Sequence, residues 1–446
     1  MTPLEIGIVA IAGMFLLIFI GVPIAITLFV TGFLGIAAIR SNVEMAGLLS
    51  AASVYNDLSK YVFGTIPLYV LMGVLISESS IGRETFHVMN RLLASLRGGL
   101  GVATVGSNAV FAAVTGVSIA SVAVFSKVAV PEMLRYKYDS RFAVGVVAGS
   151  SVLGMMIPPS LLLIVYALIA QQSIGAMFIA GVIPGILIVI VYSVAIVLFG
   201  YLRPEAVGRS ADGTPVTLTG AAGEDETELR ARSGWLLIAP VAVLIAVVLG
   251  GIYSGVFSPT EAGAAGAFAA LVIVAAKGQL TFARIRKVLR ETATVTASVA
   301  IILAAAAIYG KMLTFSGIPV QLTNALVGAN VGFGVILVGY LALLLFLGLL
   351  LDSASILLIT VPLFLPVMLS MGVDPIWFGI VTVLAVEIGL LTPPVGIACF
   401  VLKSSLENDK VTINEIFMGA APFAVLMMIV LAIIVLVPST ATILVK

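Results

Sequence analysis

Nine apolar stretches dominate this chain: residues 4 to 39, 61 to 77, 142 to 170, 176 to 201, 235 to 276, 292 to 309, 331 to 371, 376 to 402 and 416 to 438. A helix of roughly 18 or more apolar residues spans the ~30 Å hydrocarbon core of a bilayer. Several of these runs are long enough to cross more than once, which sets an expectation of about a dozen embedded segments. With 61% hydrophobic and 10% charged residues, too few polar side chains remain to cover a water-facing surface. The sequence therefore reads as an all-α polytopic membrane protein. The first apolar run carries Glu5 and is preceded by no basic region, so it is expected to stay attached as a membrane helix rather than be cleaved as a signal.

The polar inventory excludes several kinds of chemistry. One cysteine, Cys399, allows no intrachain disulfide and no thiolate-rich site, and one histidine, His87, gives no transition-metal cluster or histidine triad. A formal net charge of +1 provides no basic face for nucleic acid. The segment from Arg203 to Arg232 is the one clearly water-soluble stretch and reads as a loop joining two halves. Basic clusters at Arg83, Arg91 and Arg97 and at Arg284, Arg286, Lys287 and Arg290 are both cytoplasmic candidates, and charge alone assigns no sidedness. His87 lies in a basic amphipathic connector suited to solvent or lipid headgroups.

Two proline pairs interrupt the apolar runs, in "GMMIPPS" and "GLLTPPV", and Pro158 and Pro393 lie 235 residues apart. Other landmarks recur at that ungapped distance: Gly154 with Gly389, Asp139 with Asp374, Pro131 with Pro366, Ser118 with Ser353, Phe111 with Phe346 and Gly82 with Gly317. The chain is an internal duplication. Its repeats are expected at 1–202 and 235–410, with the polar loop 203–234 between them and a C-terminal membrane helix in 411–446.

A proline removes an N–H and displaces the carbonyl one turn back. Carbonyls freed at membrane depth cost several kcal/mol each unless they line a wet cavity or coordinate a cation. Each half also contains a second interruption. The segments 98–134 and 335–371 read as re-entrant hairpins, followed by broken helices at 142–170 and 376–403. The first tip holds Thr115, Gly116, Ser118 and Ser121; the second holds Asp352, Ser353 and Ser355. A carboxylate between apolar runs is a functional candidate by default, and Asp352 also has the spacing of a helix N-cap. Asn108, Ser150, Ser151 and Glu387 lie within two turns of the interruptions, where pocket lining and helix-packing hydrogen bonds are both open. Ser355 joins Asn108 and Ser150 as a candidate for the substrate pocket. Glu261, after Ser258-Pro259-Thr260, suits a helix start, and the Gly/Ala ladder that follows it suits close helix approach.

The set "TIPLYVLMGVLI", "VTGVSIASVAVFSKVAVPEM", "GMMIPPS", "GVFSPTEAGAAGA", "LLDSASILLITVPLFLP" and "EIGLLTPPVGI" resembles, over nearly the entire chain, the large membrane subunit of tripartite ATP-independent periplasmic (TRAP) transporters. The resemblance implies two inverted repeats with re-entrant hairpins and an elevator-type transport domain in the inner membrane of a bacterium or archaeon. It also implies Na+-driven import of a small organic anion such as a C4-dicarboxylate, a sialic acid or a related sulfonate, with no ATP, no organic cofactor and no transition metal. The partners it implies are a periplasmic substrate-binding protein and a small four-helix membrane subunit, here expected as a separate chain, within a membrane-lipid environment. By position, Thr115, Gly116 and Ser118 would face Gly154 to Pro158 around one Na+, and Asp352 and Ser353 would face Gly389, Thr392 and Pro393 around another. Substrate would lie between the tips. Many family members carry Ser-Gly-Ser-Ser at the first tip, whereas Val117 here lacks a hydroxyl.

Other classes make different demands. A related two-hairpin carboxylate carrier would work alone, without a binding protein. An intramembrane enzyme would need a nucleophile with a base or metal ligands, which a chain with one His and one Cys hardly supplies. A channel would pass substrate without saturation or obligatory Na+ coupling.

Overall fold

The computed structural model describes residues 1–93, 95–208, 234–329, 331–394, 396–406 and 411–445. Most of the expected inter-repeat loop, 209–233, lies outside the described residues. Among the described residues six helices are long and apolar enough to cross a membrane, and two bent pairs bring the number to as many as eight if each is one span. Among the described residues the only β pairing is an isolated bridge between Tyr138 and Val207. The protein is an all-helical, multi-pass membrane protein.

The first half contains α1 (Pro3–Phe19), α2 (Ile24–Arg40), α3 (Val43–Leu58), α4 (Thr65–Ser77) and α5 (Ile81–Leu93). It continues through α6 (Gly99–Thr115), α7 (Ser118–Arg135), α8 (Ser140–Ser151), α9 (Leu161–Ala170) and α10 (Ile174–Leu202). The second half runs through α11 (Gly234–Ile245, prolonged to Tyr253 by a π turn), α12 (Pro259–Ala276), α13 (Phe282–Ser316) and α14 (Ile318–Gly328). It then follows the order α15 (Phe333–Gly348), α16 (Ser353–Ser370), α17 (Pro375–Gly389), α18 (Ile397–Ser405) and α19 (Ile413–Leu436). One difference separates the halves: α3 meets the Tyr61–Ser77 segment at 61°, whereas α13 runs unbroken for 35 residues over the corresponding stretch.

Local chemistry sets the helix starts. Thr2 with Glu5, Ser258 with Glu261 and Thr412 with Glu415 close capping boxes, each satisfying two N–H groups that a helix start leaves open. Asp139 and Asp374, equivalent at the 235-residue offset, each accept two backbone N–H bonds at the starts of α8 and α17. The duplicated sequence thus builds duplicated caps.

The halves pack through exchanged pairs. Helix α2 lies against α13, and its counterpart α12 lies against α4. Gly32 approaches the Tyr309 backbone and Gly266 approaches Met72, so the small-residue ladder brings these helices close. The same exchange relates α8 with α19 to α17 with α10, and α7 with α18 to α16 with α9. Each half buries its apolar faces largely against the other.

At one end of this scaffold a polar clasp joins the halves. Lys277 donates to both carboxylate oxygens of Glu84 at 2.7 and 2.6 Å, Ser80 donates to Glu84 at 2.7 Å, and Gln279 bonds Ser80 through both amide atoms. Lys287 pairs with Glu78 at 2.7 Å. Glu84 is 4% exposed, so removing its partner leaves a buried charge. Lys277→Met is expected to cost about 3–5 kcal/mol, read as a lower midpoint of thermal unfolding in detergent. Adding Glu84→Gln should recover part of the loss, and a single mutant with an unchanged midpoint would remove the clasp from the account of stability.

Candidate functional site

Helices α6 and α7 form a hairpin whose tip is Gly116-Val117, and α15 and α16 form a second whose tip runs from Leu349 to Asp352. Between α8 and α9, and between α17 and α18, the chain breaks at Pro158-Pro159 and Pro393-Pro394, both cis. The first tip packs against the first break. The Leu161 N–H donates to the Gly116 carbonyl at 3.2 Å, and Gly154 lies against the Val117–Ser118 backbone. Gly116 has φ +64°, and a Cβ there would meet the Pro159 carbonyl oxygen at 2.4 Å. Only glycine meets both conditions, which explains this residue at the turn. In the second half Gly348 and Gly389 bring hairpin and break together, with a Cβ on Gly389 falling 2.7 Å from the Gly348 Cα.

The carbonyls that the prolines orphan are partly served locally. Pro159 has no N–H for the Met155 carbonyl four residues back, and the Ser160 hydroxyl donates there instead at 2.5 Å. Pro393 leaves the Gly389 carbonyl, which accepts from the Thr392 hydroxyl at 2.7 Å and from the Thr392 N–H at 3.1 Å. Each carbonyl oxygen has two lone pairs, so the Met155 carbonyl keeps one for a further donor or a cation, whereas both of those on Gly389 are taken. The surroundings differ: Pro158 is buried, whereas Pro393 is exposed.

The tip residues take distinct places. Thr115 is buried and its hydroxyl donates to the Phe111 carbonyl. Asp352 caps α16, accepting from the Ser355 N–H at 3.2 Å and from the Ser355 hydroxyl, so the cap reading of Asp352 holds and Ser355 is engaged within its own turn. Asn108 donates to Ser150 at 2.5 Å while its Oδ1 has no partner among the described residues. Ser151 bonds the Ala148 carbonyl within its own helix.

The residue that unites the tips is Glu387. From α17 it accepts the Ser118 hydroxyl on Oε2 at 3.3 Å and the Ser353 hydroxyl on Oε1 at 3.0 Å, and it is 1% exposed. Ser118 and Ser353 are equivalent by the repeat, and each is the first residue of a hairpin's returning helix. One carboxylate thus joins two hydroxyls and the electropositive starts of two helices. Sequence reasoning placed Glu387 among several weaker neighbours. The rule that drew attention to Asp352, an isolated carboxylate in an apolar run, applies equally to Glu387. Its partnership with both serines had no sequence signal, because its repeat counterpart is Val152.

The contact at the first tip can be tested by size. Gly116→Ala should lose about 1–2 kcal/mol from its left-handed backbone alone, and more from the clash with Pro159, read as a lower thermal midpoint. Gly13→Ala, where no atom lies within 4 Å of a new Cβ, should leave the midpoint unchanged or raise it. Equal behaviour of the two variants would refute the packed tip.

Comparison with known proteins places this geometry. The family model described as "Tripartite ATP-independent periplasmic transporter, DctM component" matches residues 11–440. The isethionate TRAP transporter permease protein DctMQ of Oleidesulfovibrio alaskensis is 32% identical over 95% of this chain, which spans 64% of that protein's length. The C4-dicarboxylate TRAP transporter large permease protein DctM of Pseudomonas aeruginosa is 30% identical, covering 88% of each chain. The sialic acid TRAP transporter large permease protein SiaM of Vibrio cholerae is 29% identical over 95% of this chain and 94% of its own. Among solved structures, the Alcanivorax borkumensis YdaH transporter superposes with a TM-score of 0.60 over 88% of both chains at 13% identity, a likeness of fold. A duplicated helical membrane protein, with a family match over almost its whole length, belongs to the DctM component of the tripartite ATP-independent periplasmic transporters, a family of transporter permeases rather than enzymes.

Proposed function

We propose that this chain is the large permease subunit of a Na+-coupled importer of a small organic anion. The observation that carries the reading is the meeting of both hairpin tips at one buried carboxylate, Glu387, in a chain of this family. Relatives named for isethionate, C4-dicarboxylate and sialic acid point to a substrate bearing a carboxylate or sulfonate. No arginine occupies either tip, so recognition of the anion falls to hydroxyls and to the N–H groups that open α7 and α16, which helix starts leave without intrahelical partners. Na+, a hard cation, would be held by oxygens: Thr115, Gly116 and Ser118 with Gly154 and Pro158, and Asp352 and Ser353 with Gly389, Thr392 and Pro393. Val117, at a position where a hydroxyl is common in the family, leaves the first tip one oxygen poorer.

Transport proceeds by an elevator movement of the hairpin-bearing body between inverted repeats. The glycine-mediated helix pairs and the Glu84–Lys277 clasp support a rigid scaffold for such movement. A soluble periplasmic binding protein delivers the substrate, and a small four-helix membrane subunit braces the scaffold in the inner membrane of a bacterium or archaeon. The runner-up is a stand-alone carrier of the same two-hairpin design.

Uptake of radiolabelled organic acids into proteoliposomes holding this chain and its small subunit tests the proposal, with the Na+ gradient and the binding protein each present or omitted. Uptake should require both. Asp352→Ala should fold, as judged by monodisperse elution, and lose at least about tenfold in apparent Na+ affinity, within the range for lost metal-site groups. Saturable uptake without a binding protein would favour the stand-alone carrier, and flux indifferent to Na+ would refute the coupling.

A further inference from the structure

The two Na+ sites considered so far each belong to one repeat, pairing a tip with its own break. Glu387 belongs to neither arrangement and contacts both tips. A carboxylate accepts about four hydrogen bonds, and Glu387 receives two, from the hydroxyls of Ser118 and Ser353. No basic side chain of the described residues pairs with it. Withdrawing such a charge from water is costly even after relaxation. The starts of α7 and α16, electropositive as helix N-termini are, offset part of this. An organic anion arriving between the same tips would add a second negative charge.

Further oxygen is available. Ser121 follows Ser118 by three residues, which places both on one face of α7. Its hydroxyl is fully buried and has no hydrogen-bond partner among the described residues. Val117, the cap residue of α7, supplies no side-chain bond, in contrast to Asp352 at the cap of α16. The start of α7 is therefore left without a side-chain cap, and Ser121 is the hydroxyl beside it with oxygen unspent. The spacing also suits an ion: oxygens 3.0 and 3.3 Å apart are separated as neighbours are in the shell of a hard cation bound at about 2.4 Å. A hydroxyl that now donates to Glu387 can turn its lone pairs toward such an ion.

We propose that Glu387, with the hydroxyls of Ser118, Ser353 and Ser121, forms a further Na+ site shared by both hairpin tips. Its ion neutralises Glu387 before an anionic substrate enters between the tips. Binding there ties the first half to the second, so that ion occupancy and closure of both tips are linked. This inference rests on the Na+-coupled reading above, and the test separates the two.

The test measures thermal unfolding of the purified chain in NaCl against choline chloride, together with Na+ titration of uptake in the proteoliposomes. Glu387→Gln keeps the shape and can still bond both serines while losing the charge. Its midpoint in choline should equal or exceed that of wild type, its stabilisation by Na+ should shrink, its half-saturating Na+ for uptake should rise about tenfold and its Hill coefficient should fall. Ser121→Ala should raise half-saturating Na+ a few-fold without loss of folding, and it decides the matter if Glu387→Gln fails to fold. A Glu387→Gln titration superimposable on wild type, or an effect that follows pH and not Na+, overturns the shared site while leaving Na+ coupling intact. Wild-type uptake indifferent to Na+, beside an Na+-dependent midpoint that Glu387→Gln abolishes, refutes the coupling and upholds the site. Indifference in both measurements refutes both.

Discussion

A peptide group in hydrocarbon must find a partner within the protein, and this constraint shapes the centre of the molecule. Each Pro-Pro pair deprives carbonyls of their helical N–H donors. The chain answers at two ranges: nearby hydroxyls, Ser160 and Thr392, serve the carbonyls of Met155 and Gly389, and a hairpin tip is laid against the broken backbone. The Leu161 N–H beyond the break donates to the Gly116 carbonyl of the tip, which ties the two together. At the first break, where Pro158 and Pro159 are buried, backbone polar groups that would be costly in lipid are enclosed by protein, as a site for a hard cation needs.

Duplication multiplies that solution. Because Gly154 and Gly389, Ser118 and Ser353, and Asp139 and Asp374 stand at one offset, each half forms a hairpin and a break with the same caps. The exchanged pairs, α2 with α13 and α4 with α12, α7 with α18 and α9 with α16, draw the two centres together. The symmetry is incomplete where it touches chemistry. Val117 stands opposite Asp352, and Val152 opposite Glu387, so both carboxylates belong to the second half, and Glu387 takes one hydroxyl from each half, Ser118 and Ser353. An asymmetric distribution of charge within a duplicated frame lets one junction serve both tips.

Much of this was legible in the residues. Run length and composition specify a helical membrane protein because a helix is the simplest element that satisfies its own backbone in lipid. The spacing of prolines, glycines and N-cap aspartates marks the repeats because each imposes a backbone requirement that does not depend on distant neighbours. Ser258 and Glu261, four residues of one segment from end to end, form their capping box for the same reason. The cap role of Asp352 was likewise open to local reasoning, since its partner Ser355 lies in the next turn.

Tertiary structure decided the rest. Which serines meet Glu387 is not written in its neighbourhood: Ser118 lies 269 residues away in sequence and Ser353 lies 34, and a hydroxyl carries no label for its acceptor. The pairing of Lys277 with Glu84 across the halves is equally silent in the sequence, because the two lie 193 residues apart and neither charge names its partner. Local backbone rules are carried by residue type and spacing, so the sequence by itself determined the membrane class, the duplication, the breaks and the caps. Long-range partners depend on how packed helices place side chains in space, so only the fold could bring one buried carboxylate to the tips of both hairpins.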